Sequence, residues 1–351
     1  MRFWLKFARP NGPKDATPIP AGTTKGLWRA GLIVVLAALL VYGCPPRAAR
    51  RHIVVLCSTL AFQPILNGLK TQLETLGFKE GANVDFDFHS IHPPSLATQA
   101  LASLNGRKPD LIFAYPTEAA VAAQEATHQM PGVPVVFAYA GIEGSRLVDS
   151  VRAPGGNITG VRFPGPEMIG KRLEILHAIA PHVRRVWIGY DKDYPNSDPA
   201  LAVLRPLADL MHIDLVEVPL GSIEELAADL AQRQRDAQPG VDAILLMPDT
   251  YIHSPEGWRL IKAFAAKTQL PIAGSFLYTV EEGAVFGNAN DLFVVGELAA
   301  PLVAKIFDGI PAGTIPVVTP EQDLYLNYRR ARELGLDVPE GLLRQAKVIL
   351  R

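Results

Sequence analysis

The chain has 351 residues and a formal net charge of -1, with 48% hydrophobic and 20% charged side chains. That is the length of two ordinary domains and the balance of a globular protein, which excludes a disordered chain. Near neutrality also excludes nucleic acid as the main partner, because binding phosphates takes a basic surface. Two cysteines are too few for a disulfide framework.

The N-terminal stretch is basic. Arg2, Lys6, Arg9, Lys14, Lys25 and Arg29 outnumber the one acid, Asp15, before the uncharged run Ala30–Gly43. As a helix that run is roughly 21 Å long, short of the ~30 Å hydrocarbon core of a bilayer. A basic region, a short apolar core and a small residue follow the order of a secretory signal; an uncleaved membrane anchor is the alternative. "VYGC" (Val41–Cys44) resembles a bacterial lipobox, in which the cysteine is lipidated and begins the mature protein. Residues 1–43 are thus expected to be signal or anchor, with Cys44 the lipidation point. Residues 44–51, "CPPRAARR", are expected to form a stiff basic tether beside the membrane.

From His52 strands and helices alternate. "HIVVLCS" (His52–Ser58) is a short β-branched apolar run, the pattern of a buried parallel strand. Phe62, Ile65, Leu66, Leu69, Leu73 and Leu76 recur at helical spacing and Gly77 ends the helix. Strands are expected at Asn83–His89, Asp110–Tyr115 and Val133–Tyr139, with helices at Pro94–Leu104 and Thr117–Gln129 between them. "APGGNITG" (Ala153–Gly160) breaks the pattern and reads as an interdomain crossing. The alternation then restarts: helix Met168–Ala180, strand Val183–Tyr190, helix Asp198–Met211, strand Asp214–Leu220, helix Ile223–Gln234 and strand Asp242–Pro248. Helix Pro255–Thr268 and strands Leu270–Ser275 and Gly283–Asn288 follow, and Asp291 caps a last long helix. The fold class is therefore α/β: two Rossmann-like lobes with parallel sheets and a cleft between them. Ligands of such sheets bind beyond the carboxyl ends of strands, often between domains.

The motifs of common chemistries are missing. "GPEMIGKR" (Gly165–Arg172) nearly matches a phosphate-binding loop but has Arg172 where a magnesium-binding Ser or Thr belongs. Its Met168, Leu173, Ile175 and Leu176 read as an ordinary packed helix. No GxGxxG, GxSxG, HExxH or CxxC occurs. His89 and His92 read as surface residues rather than metal ligands, and Cys57 as a buried core thiol. No metal, no cofactor and no catalytic residue is expected, and a binding role suits the chain better than an enzymatic one.

Several segments together carry a resemblance: "GNITGV" (Gly156–Val161), "KRLEILHAIAPHVRRVWIGYD" (Lys171–Asp191), "PNSDPAL" (Pro195–Leu201), "GAVFGN" (Gly283–Asn288), "GELAAPLVAKIFDGIPAGTIPV" (Gly296–Val317) and "LYLNYRRARELGLDVPEGLL" (Leu324–Leu343). From about His52 to Ile349 the chain is similar to the periplasmic substrate-binding proteins of ABC transporters, in particular the tryptophan/tyrosine type. The resemblance implies a type I periplasmic-binding fold that closes on one small molecule and presents it to a membrane permease, outside the cytoplasm. The lobes are expected at 52–158 and 159–312, with 313–351 returning to the first.

Candidate ligand-binding residues are those just after each strand. Ser58, Thr59 and Thr117 open helices of the first lobe, where free N–H groups suit a carboxylate. Tyr115 and Tyr139 end strands and offer rings to an apolar or aromatic ligand. From the second lobe come Tyr190, Asp191, Asp249, Ser275 and Phe276, with Asp249 the partner for a ligand amino group. Each has a plainer reading as well: Asp249 as a turn residue, Tyr190 and Asp191 as the start of a turn, Tyr139 as core. An amino acid or related compound fits this set, and so does a less polar ligand. Two other functions stay open, a sensory module for a membrane kinase or chemoreceptor and an exported α/β enzyme.

Overall fold

The computed structural model describes residues 50–91, 96–102, 108–127, 132–236, 239–247, 249 and 251–351. Cys44, the lipobox, the tether up to residue 49 and His92 lie outside the described residues. The first sheet has strand order β2-β1-β3-β4-β5, from β1 (Arg51–Cys57), β2 (Val84–Ser90), β3 (Leu111–Tyr115), β4 (Val135–Ala140) and β5 (Ile158–Arg162). Helices α1 (Gln63–Thr75), α2 (Leu96–Ala102) and α3 (Thr117–Thr127) connect them. Alternate residues of β1 serve opposite cores. Ile53, Val55 and Cys57 pack on Ile65, Leu69 and Leu73 of α1, while Val54 and Leu56 pack with Ala97, Leu101 and Ala120 of α2 and α3. A strand buried on both faces has no room for polar residues, which is why it reads as one apolar run.

The second sheet holds seven strands. In chain order they are β6 (Arg185–Asp191), β7 (Asp214–Leu220), β8 (Ala243–Leu245), β9 (Ile272–Gly274), β10 (Phe286–Ala289), β11 (Asp323–Asn327) and β12 (Val348–Leu350). Their order is β12-β11-β10-β9-β8-β6-β7, and only β10 and β11 pair antiparallel. One face packs on α4 (Gly165–Ile179) and α5 (Ser197–Leu210), through Leu173, Leu176 and Leu204. The other packs on α6 (Ile223–Arg235) and α7 (Pro255–Thr268), through Leu226, Leu230, Trp258 and Phe264. Ser222 and Ser254 cap α6 and α7 by accepting from the amides of Glu225 and Gly257.

Three corrections follow. The glycine-rich stretch near Gly156 is not itself the crossing: Ile158–Arg162 is a fifth strand paired with β4. After β9 comes the short helix α8 (Leu277–Glu281), and the helix after Asp291, α9 (Leu292–Phe307), packs on α1 in the first lobe, not the second. Of residues 313–351, only the start runs along the first sheet, where Val318 bridges Val161 and Ile315 O accepts from Thr159 Oγ1. The rest, β11, α10 (Tyr328–Glu333), α11 (Glu340–Gln345) and β12, belongs to the second lobe, because Leu324, Leu326 and Leu336 complete its core.

The chain therefore passes between lobes three times, after β5, after β10 and before β11. Side chains stitch the passages together. Arg162 Nε donates to Thr319 Oγ1 at 3.0 Å, and Asn290 Nδ2 donates to the carbonyls of Glu321 and Pro320 at 2.6 and 3.3 Å. Arg162 also pairs with Glu143 of the first lobe and with Glu167 in the first turn of α4.

Helices α1 and α9 cross closely enough to need glycine on both sides. A Cβ on Gly68 would lie 1.9 Å from Phe293 O, and one on Gly296 1.9 Å from Ile65 O. Forcing atoms into such a contact costs about 1–3 kcal/mol, more than the ~1 kcal/mol an alanine gains in helix propensity. Gly68→Ala and Gly296→Ala are each expected to lower stability in urea unfolding. An unchanged midpoint would show that the helices do not approach this closely.

Candidate functional site

Residues that follow strands of the two sheets meet one another, Phe62 with Phe276, Glu118 with Tyr194 and Thr117 with Asn196, and the carboxyl ends of such strands are where open parallel sheets bind ligands. On the first-lobe side, β1 leads through Ser58 and Thr59 into a 3-10 turn, Leu60–Phe62. The ring of Phe62 stands 5.4 Å from Tyr139 and 5.8 Å from Phe276 of the second lobe, and Tyr139 stands 4.8 Å from Phe163 at the first passage. Tyr139 reaches this group through its backbone. It has φ 56° and sits where the β4–β5 register slips between Ala138 and Ala140. The extra residue reverses the alternation, so Tyr139 joins the core of Val136 and Ala138 rather than that of Phe137. A left-handed non-glycine residue costs about 1–3 kcal/mol and is concentrated at functional sites.

The second lobe contributes buried charge. Asp249, 4% exposed, follows β8. Its Oδ1 accepts from the Ile252 amide at 2.9 Å, while Oδ2 is buried without a hydrogen-bond partner among the described residues. Burial pushes this carboxyl up to about 7, against the pull of the Ile252, Asp191 and Tyr251 amides; the charge of Asp191 adds to the rise. Arg172 of α4 is 1% exposed. It donates through Nε and Nη2 to Asn288 O at 3.0 and 2.8 Å and through Nη1 to Leu246 O at 3.3 Å. It thus spans the ends of β8 and β10 and forms no ion pair among the described residues. Burial lowers it to about 10. Burial, then the Arg172 charge, pulls His253 down to about 3, so its ring is neutral. That ring holds Ser275 Oγ at 3.2 Å on Nε2 and Tyr278 Oη at 3.0 Å on Nδ1.

A rim of direct lobe-to-lobe contacts lies away from the passages. Glu118 accepts from Ser58 Oγ at 2.6 Å and from Tyr194 Oη of the second lobe at 3.4 Å. Thr117 Oγ1 accepts from the Gly141 amide at 3.0 Å and from Asn196 Nδ2 at 3.2 Å. A Cβ on Gly141 or Gly144 would fall 1.9 Å from Asn196 Oδ1 or Pro195 O respectively, so glycines form the seat.

The residues expected from sequence divide accordingly. Tyr115, Tyr139, Asp249, Ser275 and Phe276 stand at or just after strand ends, Tyr139 and Phe276 6.0 Å apart across the lobes and Tyr115 in the first-lobe core. Among the described residues neither Tyr115 Oη, which lies beside the Cys57 thiol, nor Tyr139 Oη has a conventional hydrogen-bond partner, and burial raises both phenols. Ser58 and Thr117 serve the rim rather than offering free donors. Thr59 is half-buried, and its carbonyl accepts from the buried Cys57 thiol. Asp191 supports Asp249 from beside it. Tyr190 turns away: it packs in the second-lobe core with its hydroxyl 3.4 Å from Glu217. Phe62, Phe163, Arg172, His253 and Asn290 join the site without having been expected. For Arg172 the signal was present, since it shares the helical stripe of Met168, Ile175 and Leu176. Two surface hollows of about 750 and 390 Å³ lie elsewhere, beside Tyr328 and Arg332 and beside Arg51 and Phe307. Neither is lined by any of the buried unpaired polar groups, which favours the cleft.

Asp249 makes a pH test. Its folded-state pKa is raised, so its contribution is fully present below about pH 4 and is lost as pH rises through about 7. The loss is on the order of 4 kcal/mol. His253 works in the opposite direction over an overlapping window, so the difference between wild type and Asp249→Asn is the readout. Asn is expected to stabilise the unliganded protein at pH 8 and to lose the advantage by pH 4 in urea unfolding. Parallel pH profiles would refute the buried acid.

Comparison with known proteins gives concordant matches. The family described as ABC transporter substrate binding protein matches residues 52–349. A curated relative, the tyrosine-binding protein of Clostridioides difficile (strain R20291), is 27% identical over 271 residues, 77% of this chain and 76% of that one. A crystal structure of an ABC domain in complex with L-Trp from Streptococcus pneumonia is 24% identical, with TM-score 0.76, over 86% of this chain and 100% of that one. A conserved domain protein from Vibrio cholerae is 25% identical, with TM-score 0.75, over 85% and 99% of the two chains. A ligand-free, open substrate binding protein with adhesive properties from Clostridium difficile has TM-score 0.65 at 22% identity, over 86% and 99%. The shared architecture is the type I periplasmic-binding fold.

Proposed function

Because the chain belongs to the family of ABC transporter substrate binding proteins, we propose that it captures an amino acid with an aromatic side chain and hands it to the permease of an ABC importer. The observation that carries this reading is a pair of buried groups of opposite charge, Asp249 and Arg172, neither in an ion pair among the described residues. A buried charge is stable only when it is paired and hydrogen-bonded. A zwitterion supplies an ammonium for Asp249 and a carboxylate for the side of the cleft that Arg172 makes positive. Phe62, Tyr139, Phe163 and Phe276 offer ring faces and edges to the ligand's side chain. The names of two relatives, one tyrosine-binding and one in complex with L-Trp, support the same class.

Capture works by closure. Ligand bound to one lobe gains contacts with the other only when the rim meets, so binding shifts the protein toward the closed arrangement by the free energy of those contacts. In calorimetry L-tyrosine or L-tryptophan is expected to bind one per chain without turnover, and a hundredfold excess over Kd raises stability by about 2.7 kcal/mol. Binding through Asp249 is expected to weaken as pH falls below about 7, with proton release. No binding by any aromatic amino acid, or conversion of the bound compound, would overturn the reading.

The proposed place of work is outside the cytoplasm, in the periplasm or on the outer face of the membrane, with Cys44 the lipid attachment. A radiolabelled lipid precursor is expected to enter the wild type and not Cys44→Ser. Label retained in the variant would exclude the lipoprotein reading and leave an apolar anchor.

A further inference from the structure

Asn290 is the residue on which the chain leaves β10 for the first lobe, and it is 2% exposed. Its Nδ2 donates to Glu321 O at 2.6 Å and to Pro320 O at 3.3 Å. These two carbonyls decide the orientation of the amide, because turning it over would set Oδ1 against two oxygens. Oδ1 therefore points away from the third passage. It is buried and accepts no hydrogen bond from any described residue. Buried acceptors without a donor are rare in folded proteins.

Its chain neighbours reach the candidate site. Asn288, two residues earlier, gives its carbonyl to Arg172, and Ala289 lies in the core shared with Tyr139 and Phe276. Asn290 thus shares two properties with Asp249, a place beyond a strand's carboxyl end and a buried polar atom without a partner among the described residues, and the second of these with Tyr139 near the end of β4. It differs in also holding a passage between the lobes.

We infer that Asn290 reads the bound solute: Oδ1 accepts a hydrogen bond from an N–H or O–H of the ligand while Nδ2 holds the Pro320–Glu321 passage. One planar group then connects ligand to hinge. A solute with a donor at that point fixes the side chain, and the fixed side chain holds the third passage in its closed arrangement. The inference rests on the amino-acid reading above and adds a selecting residue that the sequence did not single out.

Calorimetry on the full chain with three probes tests it: L-tyrosine, L-phenylalanine, which lacks the ring hydroxyl, and 3-(4-hydroxyphenyl)propanoate, which lacks the ammonium. Asn290→Ala is expected to weaken L-tyrosine about 10- to 100-fold, the size of a hydrogen bond to a charged or well-placed donor. It is expected to spare the one analogue that lacks the donor Oδ1 accepts. A spared propanoate identifies the ammonium as that donor, and a spared phenylalanine identifies the ring hydroxyl. Equal loss for all three probes overturns the inference and leaves Asn290 a hinge residue, and unchanged affinities overturn it as well. Should the wild type bind none of the three, the amino-acid reading fails and takes this inference with it. Asn290→Ser, small and still able to donate to Glu321 O, gives the same comparison where alanine does not fold.

Discussion

Arg162 is the point on which the two lobes depend. One guanidinium meets Glu143 of the first lobe, Glu167 at the start of α4, and Thr319 on the third passage. It is only 13% exposed at the side chain, so these contacts are screened less by salt than ordinary surface pairs. Asn290 repeats the arrangement between the second and third passages. These contacts tie the passages to one another, and residues after strands of the two sheets meet at Phe62 and Phe276. On the proposed reading, this is what brings the rings and charges at those ends to one solute.

The cleft concentrates costs that a structural core would avoid. It holds a carboxyl whose pKa burial raises, a guanidinium whose pKa burial lowers, a left-handed tyrosine and several polar atoms without partners among the described residues. Each is unfavourable alone. The remainder of the molecule supplies the stability to hold them, through two sheets that are buried on both faces and two helices in close contact through Gly68 and Gly296. Neutral His253, with both ring nitrogens engaged, adds a hydrogen-bonded wall that keeps Ser275 fixed beneath the rings.

The alternation of strand and helix was legible in the sequence because buried parallel strands leave apolar runs and helices leave a stripe. Helix Pro255–Thr268 was expected at its observed ends, since Ser254 and Pro255 mark the start. What was not legible is which sheet a segment joins. β5 was hidden by its neighbouring glycines, and α9 and β11 cross between lobes with no mark in their own composition, because an apolar stripe does not name its partner. The same limit held for the site. Asp249, Tyr139 and Phe276 were legible as strand-end residues from their positions in the sequence. Arg172 sits in the middle of a helix and reaches the strand ends only through the length of its side chain. The slip that turns Tyr139 into the cleft depends on a left-handed backbone that no residue type there announces.

The glycine seats at Gly141 and Gly144 have a consequence for size. Where Pro195 and Asn196 rest on them, backbone and side chain meet without space for even a methyl group. A molecule that ran out of the cleft on this side would have to part Asn196 from Thr117 and Tyr194 from Glu118. On the proposed reading the rim is a length gauge: a free amino acid would let the lobes meet, whereas the same residue inside a peptide would hold them apart.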